Sequence, residues 1–142
     1  MTLTRAIDVS VLVPAKDEAG NLPLFVELCA EMLRDQAVRY EVIVIDDGST
    51  DGTDGSWNLL QKLADQYPFL RPVRHRAQRG IAEALRTGYL HARGDILVFY
   101  PADLQFKPED IPRLVAPILV DESDMVTGYK QGQYEKAFVS GI

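Results

Sequence analysis

The chain has 142 residues, 46% of them hydrophobic and 25% charged, with a formal net charge of −6; this is ordinary usage for one globular domain and excludes native disorder. No apolar run approaches the roughly 18 residues of a membrane span, the N-terminus MTLTRAIDVS lacks the apolar core of a secretory signal, and the acidic balance speaks against a nucleic-acid surface. A single cysteine, Cys29, permits no internal disulfide and fits a reducing, cytoplasmic setting.

Val9–Val13 is a β-branched run closed by Pro14, so a first strand is predicted to stop there. The polar loop PAKDEAGN follows, with Asn21 as a helix N-cap and Pro23 in the first turn. Phe25, Leu28, Cys29, Met32 and Leu33 recur at helical spacing, which predicts a helix over Leu22–Asp35 with Cys29 packed inside. Val42–Asp46 predicts the second strand, which delivers Asp46 and Asp47 onto a turn made by Gly48, with Ser49, Thr50 and Asp51 as capping candidates. A helix over Asp54–Gln66 should turn Trp57, Leu60, Ala64 and Tyr67 inward, and a short strand is expected at Leu70–Arg74.

In RHRAQRGIAEALRTGYLHARGD, Ile81, Leu85, Gly88, Tyr89 and Ala92 share a helical face, and Gly94 is placed as a C-cap. Gly80 and Gly88 suit close backbone approach. Arg74, Arg76 and Arg79 read as a solvated basic loop, and His75 and His91 as surface residues rather than metal ligands. Asp95–Tyr100 (DILVFY) is the most apolar strand candidate and is expected at the centre of the sheet. Pro108-Glu109-Asp110 opens a helix with the stripe Ile111, Leu114, Val115 and Ile118, limited by Pro117, and Met125–Thr127 is a fifth, short strand.

Strands alternating with helices over the whole length predict one α/β domain: a doubly wound, mainly parallel sheet of about five strands with helices on both faces. Ligands bind such sheets at the carboxyl ends of the strands. Reading those ends collects Lys16 and Glu18, Asp46 and Asp47, Asp103 and Gln105, and Lys130 on one rim. Oxygen ligands from Asp103 and Gln105 suit a hard divalent cation, Mg²⁺ or Mn²⁺, which would let an acidic site hold a diphosphate. Neither GxGxxG nor GxxxxGK[ST] follows a strand here, which argues against dinucleotide and P-loop sites.

VSVLVPAKDEAGNL, YEVIVIDDGSTDGT, GIAEALRTGY, GDILVFYPADLQFKPEDI and DMVTGYK, in that order, resemble the family 2 glycosyltransferases of GT-A fold, and among them the polyprenyl-phosphate sugar transferases. The resemblance covers roughly residues 8 to 130 and implies a nucleotide-sugar site. It implies that Pro14, Lys16, Glu18, Ile45 and Asp47 contact the base and ribose, with Asp46 supporting the same loop. It implies that Ala102, Asp103 and Gln105 lie at the diphosphate and its metal, with Asp103 and Lys130 acting on the leaving group. The position of Lys130 is commonly Arg in the family; Lys keeps the charge without the planar fork.

Two departures stand out. Pro101-Ala102-Asp103 replaces the family's Asp-x-Asp, which removes one carboxylate from the metal side. The family's catalytic domain also runs beyond Ile142, so the acceptor-binding part is expected to be absent, and Gln131–Ile142 to be a loosely held tail or a pairing segment for a homodimer. The expected activity is metal-assisted, inverting sugar transfer from a UDP- or GDP-linked donor to a lipid phosphate or glycan. Membrane association is expected only through the absent C-terminal region. A nucleotide-sugar-binding module without catalysis is the alternative suggested by Pro101. A phosphoacceptor signalling domain is the remote one, since its acidic pair should follow strand one.

Overall fold

Strands rich in Val and Ile expose two apolar faces, and helices with one apolar stripe are the covers that hide them. A computed structural model of the chain describes residues 7–52, 55–103 and 107–121. Its elements are β1 (Val9–Ala15), α1 (Leu22–Leu33), β2 (Tyr40–Asp47), α2 (Ser56–Gln66), β3 (Leu70–His75), α3 (Ile81–His91), β4 (Ile96–Phe99) and α4 (Ile111–Leu119), the last entered through a 3-10 turn at Pro108–Asp110. The four strands are parallel and lie in the order β3-β2-β1-β4. The doubly wound sheet is therefore present, with four strands among the described residues. The fifth expected strand, Met125–Thr127, and the tail Gln131–Ile142 lie outside them. No helix among the described residues is long and apolar enough to cross a membrane.

The period-2 alternation of strand side chains divides the core in two. Val9, Val11, Val13 and Ala15 of β1 join Val42 and Val44 of β2 and Val98 of β4 in the larger cluster, with Phe25 and Cys29 of α1, Leu60 of α2, and Ile111 and Val115 of α4. Leu12, Ile43 and Ile45 point the other way, where Ala84 of α3 completes a smaller cluster. Cys29 is fully buried, and burial pushes its thiol up to about 12. It packs as the helical spacing predicts.

Four expectations need correction. Pro14 does not end β1: it pairs with Ile45 in the β1–β2 ladder. In a parallel strand the N–H and C=O of one residue face the same neighbour. Leu12 accepts from the Tyr100 N–H at 2.9 Å, so it faces β4. Pro14, two residues on, faces the same side beyond the last β1–β4 pair, Leu12 with Phe99. No ladder bond is lost by its missing N–H.

DILVFY is not central among the described strands. β4 pairs only with β1 there, and Phe99 is 59% exposed. The central positions belong to β1 and β2, and all eight residues of β2 are buried. Apolar character reports how well a strand's faces are covered, which is a separate matter from its place in the ladder.

The inner face of α3 is also rotated from the expected one. Ala84 and Gly88 are its buried residues, while Ile81 and Tyr89 are 70% and 61% exposed. The small residues set the face because the helix sits very close to the sheet: a Cβ on Gly88 would lie 2.9 Å from Ile45 Cδ1 and 3.2 Å from Leu12 Cδ2. Gly94 does not cap α3, whose C-cap is Ala92. It is glycine because a Cβ there would lie 2.8 Å from the Asp8 carbonyl oxygen.

At the amino end of β2, Glu41 is buried with its carboxylate fully engaged. Oε2 accepts from the Ser10 hydroxyl at 2.6 Å and the Arg93 N–H at 2.8 Å, and Oε1 accepts from Arg71 Nη1 at 2.6 Å and Arg93 Nε at 3.0 Å. Burial opposes its ionisation, but these four donors outweigh burial and hold the carboxyl below the usual range. The network ties β1, β2, β3 and the α3–β4 turn together. Glu41→Ala should destabilise the fold by about 2 kcal/mol, since it removes the acceptor of the buried Ser10 hydroxyl and of the Arg93 N–H while the Arg71 and Arg93 side chains remain open to water. Urea denaturation should show a lower midpoint at unchanged slope; a wild-type midpoint would make the network dispensable.

Candidate active site

The chain leaves β1 in one direction to build β2 and β3, and returns to the other side for β4. Helices from the two directions cover opposite faces, so a crevice opens between the carboxyl ends of β1 and β4. It is a cleft of about 340 Å³. The β1 exit lines it with Pro14, Ala15, Lys16 and Glu18, and the β2 exit with Asp47. The loop ahead of α3 adds Gln78, Gly80 and Ile81, and the β4 exit adds Pro101, Ala102 and Asp103.

Polar side chains latch these loops to one another. The Ser49 hydroxyl donates to Asp46 Oδ1 and accepts the Asp17 N–H at 2.8 Å, while Asp17 Oδ1 accepts the Thr50 N–H at 2.8 Å. The buried Ser56 repeats the device: its hydroxyl donates to Asp51 Oδ2 at 2.8 Å and accepts the Glu18 N–H at 2.8 Å. Asp51 Oδ1 also takes the Ser56 N–H at 2.9 Å, which satisfies the start of α2 from outside the helix, whose N-cap is Gly55. Each serine thus joins the β1–α1 loop to an acid, Asp46 at the end of β2 for Ser49 and Asp51 of the β2–α2 loop for Ser56. Asp17 holds a φ of 52°, the strained point of the first loop.

The β2–α2 turn in turn fixes the loop after β3. Gly48 has φ 75°, and a Cβ there would lie 2.3 Å from the Gln78 nitrogen and 2.5 Å from the Ala77 carbonyl carbon. Only glycine allows that approach. Lys16 Nζ then reaches Gln78 Oε1 at 3.0 Å, so the first and third loops are joined directly.

The adjacent acids have different tasks because strand alternation turns them to opposite faces. Asp46 is fully buried, takes the Ser49 N–H and hydroxyl on Oδ1, and has no partner for Oδ2 among the described residues. Burial, the largest influence, raises its pKa above the ordinary value. Asp47 Oδ1 accepts from His75 Nδ1 at 2.8 Å and the Arg79 N–H at 2.8 Å, and Oδ2 from the Gly80 N–H at 2.9 Å. Burial works against its charge too, yet the donors from His75, Arg79 and Gly80 prevail, and its pKa is lowered.

Of the residues singled out from the sequence, Pro14, Lys16, Glu18, Asp47, Ala102 and Asp103 meet at the cleft. Ile45 and Asp46 do not line it. The Ile45 side chain packs in the core beneath Gly88, and Asp46 braces the turn behind the cleft wall. Gln105 and Lys130 lie outside the described residues. The loop ahead of α3 was missed by sequence reasoning, although the β3 exit belongs to the same rim and Gly80, at φ 99°, marks its last turn. His75 is not a surface residue: it is 6% exposed, held between Asp47 and Thr87. His91 is exposed as expected, and so are Arg74, Arg76 and Arg79, but Arg74 belongs to β3 rather than to the expected basic loop and lies 5.4 Å from the Trp57 ring centroid.

No group of three or more His, Cys, Asp or Glu able to hold a metal occurs among the described residues. Asp103, exposed at the cleft, is the carboxylate of the β4 exit, with Pro101 where a second could stand. A Mg²⁺-type cation is commonly held by one or two carboxylates together with substrate phosphates, and this donor set fits that mode.

Comparison with known proteins identifies the family and the fold. The family model described as glycosyl transferase family 2 matches residues 10–137. A dolichol-phosphate mannosyltransferase of Pyrococcus furiosus is 36% identical over 120 residues, covering 84% of this chain and 32% of the relative, so the chain spans about a third of that protein's length. The mannosyltransferase PcManGT from Pyrobaculum calidifontis, solved with GDP-Man and Mn²⁺, is similar with a TM-score of 0.60 and 29% identity, over 76% of this chain and 33% of that one. Glucosyl-3-phosphoglycerate synthase from Mycobacterium tuberculosis, solved with Mn²⁺, UDP and glucosyl-3-phosphoglycerate, gives a TM-score of 0.60 and 29% identity, over 80% of this chain and 40% of that one.

Gly48→Ala should lower stability by about 2 kcal/mol or more, since it combines a left-handed φ with a backbone collision. Thermal melting checks this, and an unchanged melting temperature would contradict the close approach. Acid should also destabilise the fold. With folded pKa values of Glu41 and Asp47 below the ordinary carboxylate range, their contribution is fully present above that range and lost as pH falls through the folded values. Asp46, with a raised pKa, contributes in the opposite sense: its share is full below the ordinary value and lost as pH rises through the raised one. Burial opposes the charge of Asp51 too, but the Ser56 N–H and hydroxyl outweigh it, and its pKa is lowered as well. Among the described residues three lowered carboxylates oppose one raised, so melting temperatures recorded from pH 7 to pH 3 should fall below about pH 4.

Proposed function

The chain belongs to glycosyl transferase family 2, and from that membership we propose that it is the donor-binding part of an inverting enzyme that moves a sugar from a nucleotide diphosphate sugar to a polyprenyl phosphate. The observation that carries the reading is the cleft at the crossover of the sheet, where Lys16, Glu18, Asp47 and Asp103 come together. The relative named as a dolichol-phosphate mannosyltransferase supports the lipid-phosphate acceptor. The neighbours bound to GDP-Man and to UDP support a nucleotide donor with either base. Family membership leaves no support for the phosphoacceptor reading.

In this scheme Glu18 and Asp47 are hydrogen-bond acceptors for the base and ribose, held still by the serine latches and by the donors around Asp47. Lys16 adds a cation to the same wall. The diphosphate lies toward Asp103, and the family resemblance assigns Lys130, outside the described residues, as the cation for its oxygens. The acceptor oxygen attacks the anomeric carbon from the face opposite the leaving group, and the electron pair of the breaking C–O bond passes to the diphosphate, which inverts the centre. A divalent cation beside Asp103 would supply charge neutralisation of that leaving group. Fixed positive charge at a developing anion is the main electrostatic contribution to such a step. A phosphate acceptor is already an anion and needs little help from a general base. Such an acceptor would bring the full-length protein to the cytoplasmic face of a membrane.

A second reading, a nucleotide-sugar-binding module without turnover, draws on Pro101. Calorimetry with GDP-mannose and UDP-glucose, with and without Mn²⁺, should give binding of one donor that Mn²⁺ tightens. The full-length protein should transfer labelled sugar to a polyprenyl phosphate, and Asp103→Asn should lower kcat/KM by about 100-fold. Donor binding without transfer would select the second reading. Failure to bind any nucleotide sugar would overturn both.

A further inference from the structure

His75 ends β3 with its ring buried, 5% exposed, and with both nitrogens engaged. Nδ1 lies 2.8 Å from Asp47 Oδ1 and Nε2 lies 2.7 Å from the Thr87 hydroxyl of α3. An ionised carboxylate only accepts, so Nδ1 carries a proton; in the neutral ring Nε2 then accepts from Thr87. The ring is thereby locked between the β2 exit and the middle of α3.

The lock acts on Asp47. An ionised carboxylate has about four acceptor sites, and three donors, His75, the Arg79 N–H and the Gly80 N–H, occupy part of that capacity. Asp47 also lines the cleft. Two of its three donors are backbone N–H groups of one loop, and these alone would let the carboxylate turn with that loop. His75 is the donor that comes from the sheet. It ties Oδ1 to a different element and so fixes the plane of the carboxylate.

We propose that His75 is a positioning residue for nucleotide recognition: it orients Asp47 so that the carboxylate's remaining acceptor capacity faces an N–H or O–H donor of the bound nucleoside diphosphate. The inference rests on the nucleotide-sugar reading of the cleft and adds a residue that touches neither substrate nor cation.

Two substitutions separate the halves of the lock. In His75→Asn the side-chain amide nitrogen takes the place of Nδ1 and keeps the bond to Asp47 while losing Thr87. In His75→Gln the longer side chain brings its amide to the place of Nε2, where Oε1 accepts from the Thr87 hydroxyl, and so keeps Thr87 while losing Asp47. Each loses one hydrogen bond, so similar falls in melting temperature are expected. Titration of the full-length protein with GDP and UDP should leave the Kd of His75→Asn within about threefold of wild type and raise that of His75→Gln by about tenfold or more, as loss of a hydrogen bond to a charged group does. At saturating donor, kcat of His75→Gln should stay close to wild type while KM rises. Should His75→Gln fail to fold, Thr87→Val, which removes only the far bond, should bind within about threefold of wild type. Wild-type binding by His75→Gln, or equal losses in the Asn, Gln and Thr87→Val variants tracking their melting temperatures, would overturn the proposal while leaving the cleft's assignment intact. A wild-type protein that binds neither nucleotide would remove the nucleotide reading and this inference with it.

Discussion

β2 places three carboxylates, Glu41, Asp46 and Asp47, inside a strand whose eight residues are all buried. A buried carboxylate without donors is among the most destabilising features a core can carry, so each must recruit partners from neighbouring segments. Glu41 recruits Ser10, Arg71 and Arg93 at the foot of the sheet. Asp46 recruits Ser49, and Asp47 recruits His75 with the N–H groups of Arg79 and Gly80. Three of the connecting loops are therefore fixed by the needs of one strand. The differing pKa directions record how well each need is met: lowered for Glu41 and Asp47, raised for Asp46, whose Oδ2 has no partner among the described residues.

The same strand decides where a ligand can enter. β2 pairs on both edges along its length, whereas β1 loses β4 after Leu12 and continues alone with β2 through Pro14 and Ala15. That uncovered end of β1 is one wall of the cleft. A proline there is an advantage, because a free N–H at the gap would need a partner. The opposite wall comes from Pro101, Ala102 and Asp103, and the back from Asp47 and the loop it holds. A rigid back wall and a carboxylate at the front suit a donor whose nucleoside is gripped while its diphosphate departs.

Rigidity at this rim is built from short side chains rather than from buried area. Ser49 and Ser56 each accept a backbone N–H of the β1–α1 loop and donate to an acid, Asp46 at the end of β2 and Asp51 in the loop after it. Gly48 lets the third loop rest against the second. Loops tied in this way lose little entropy when a ligand arrives, which favours affinity through preorganisation.

Much of this was legible in the residues. β-branched runs bounded by Pro and Gly located the strands, helical spacing located the helices, and their alternation implied the parallel sheet; the acids at the strand ends then marked the rim. These features are local, and local pattern suffices to read them. The ordered motifs of the β1, β2 and β4 exits also carried the family. What the sequence left open depends on contacts between distant segments. The burial of His75 follows from Asp47, 28 residues earlier, and Thr87, 12 residues later. The rotated face of α3 follows from how closely Gly88 approaches Ile45 and Leu12. Asp46 and Asp47 look alike in the sequence, and only the stacking of α3 on one face of the sheet made one a brace in the core and the other a wall of the cleft. A chain states which groups it carries; which of them face a ligand is decided by what packs behind them.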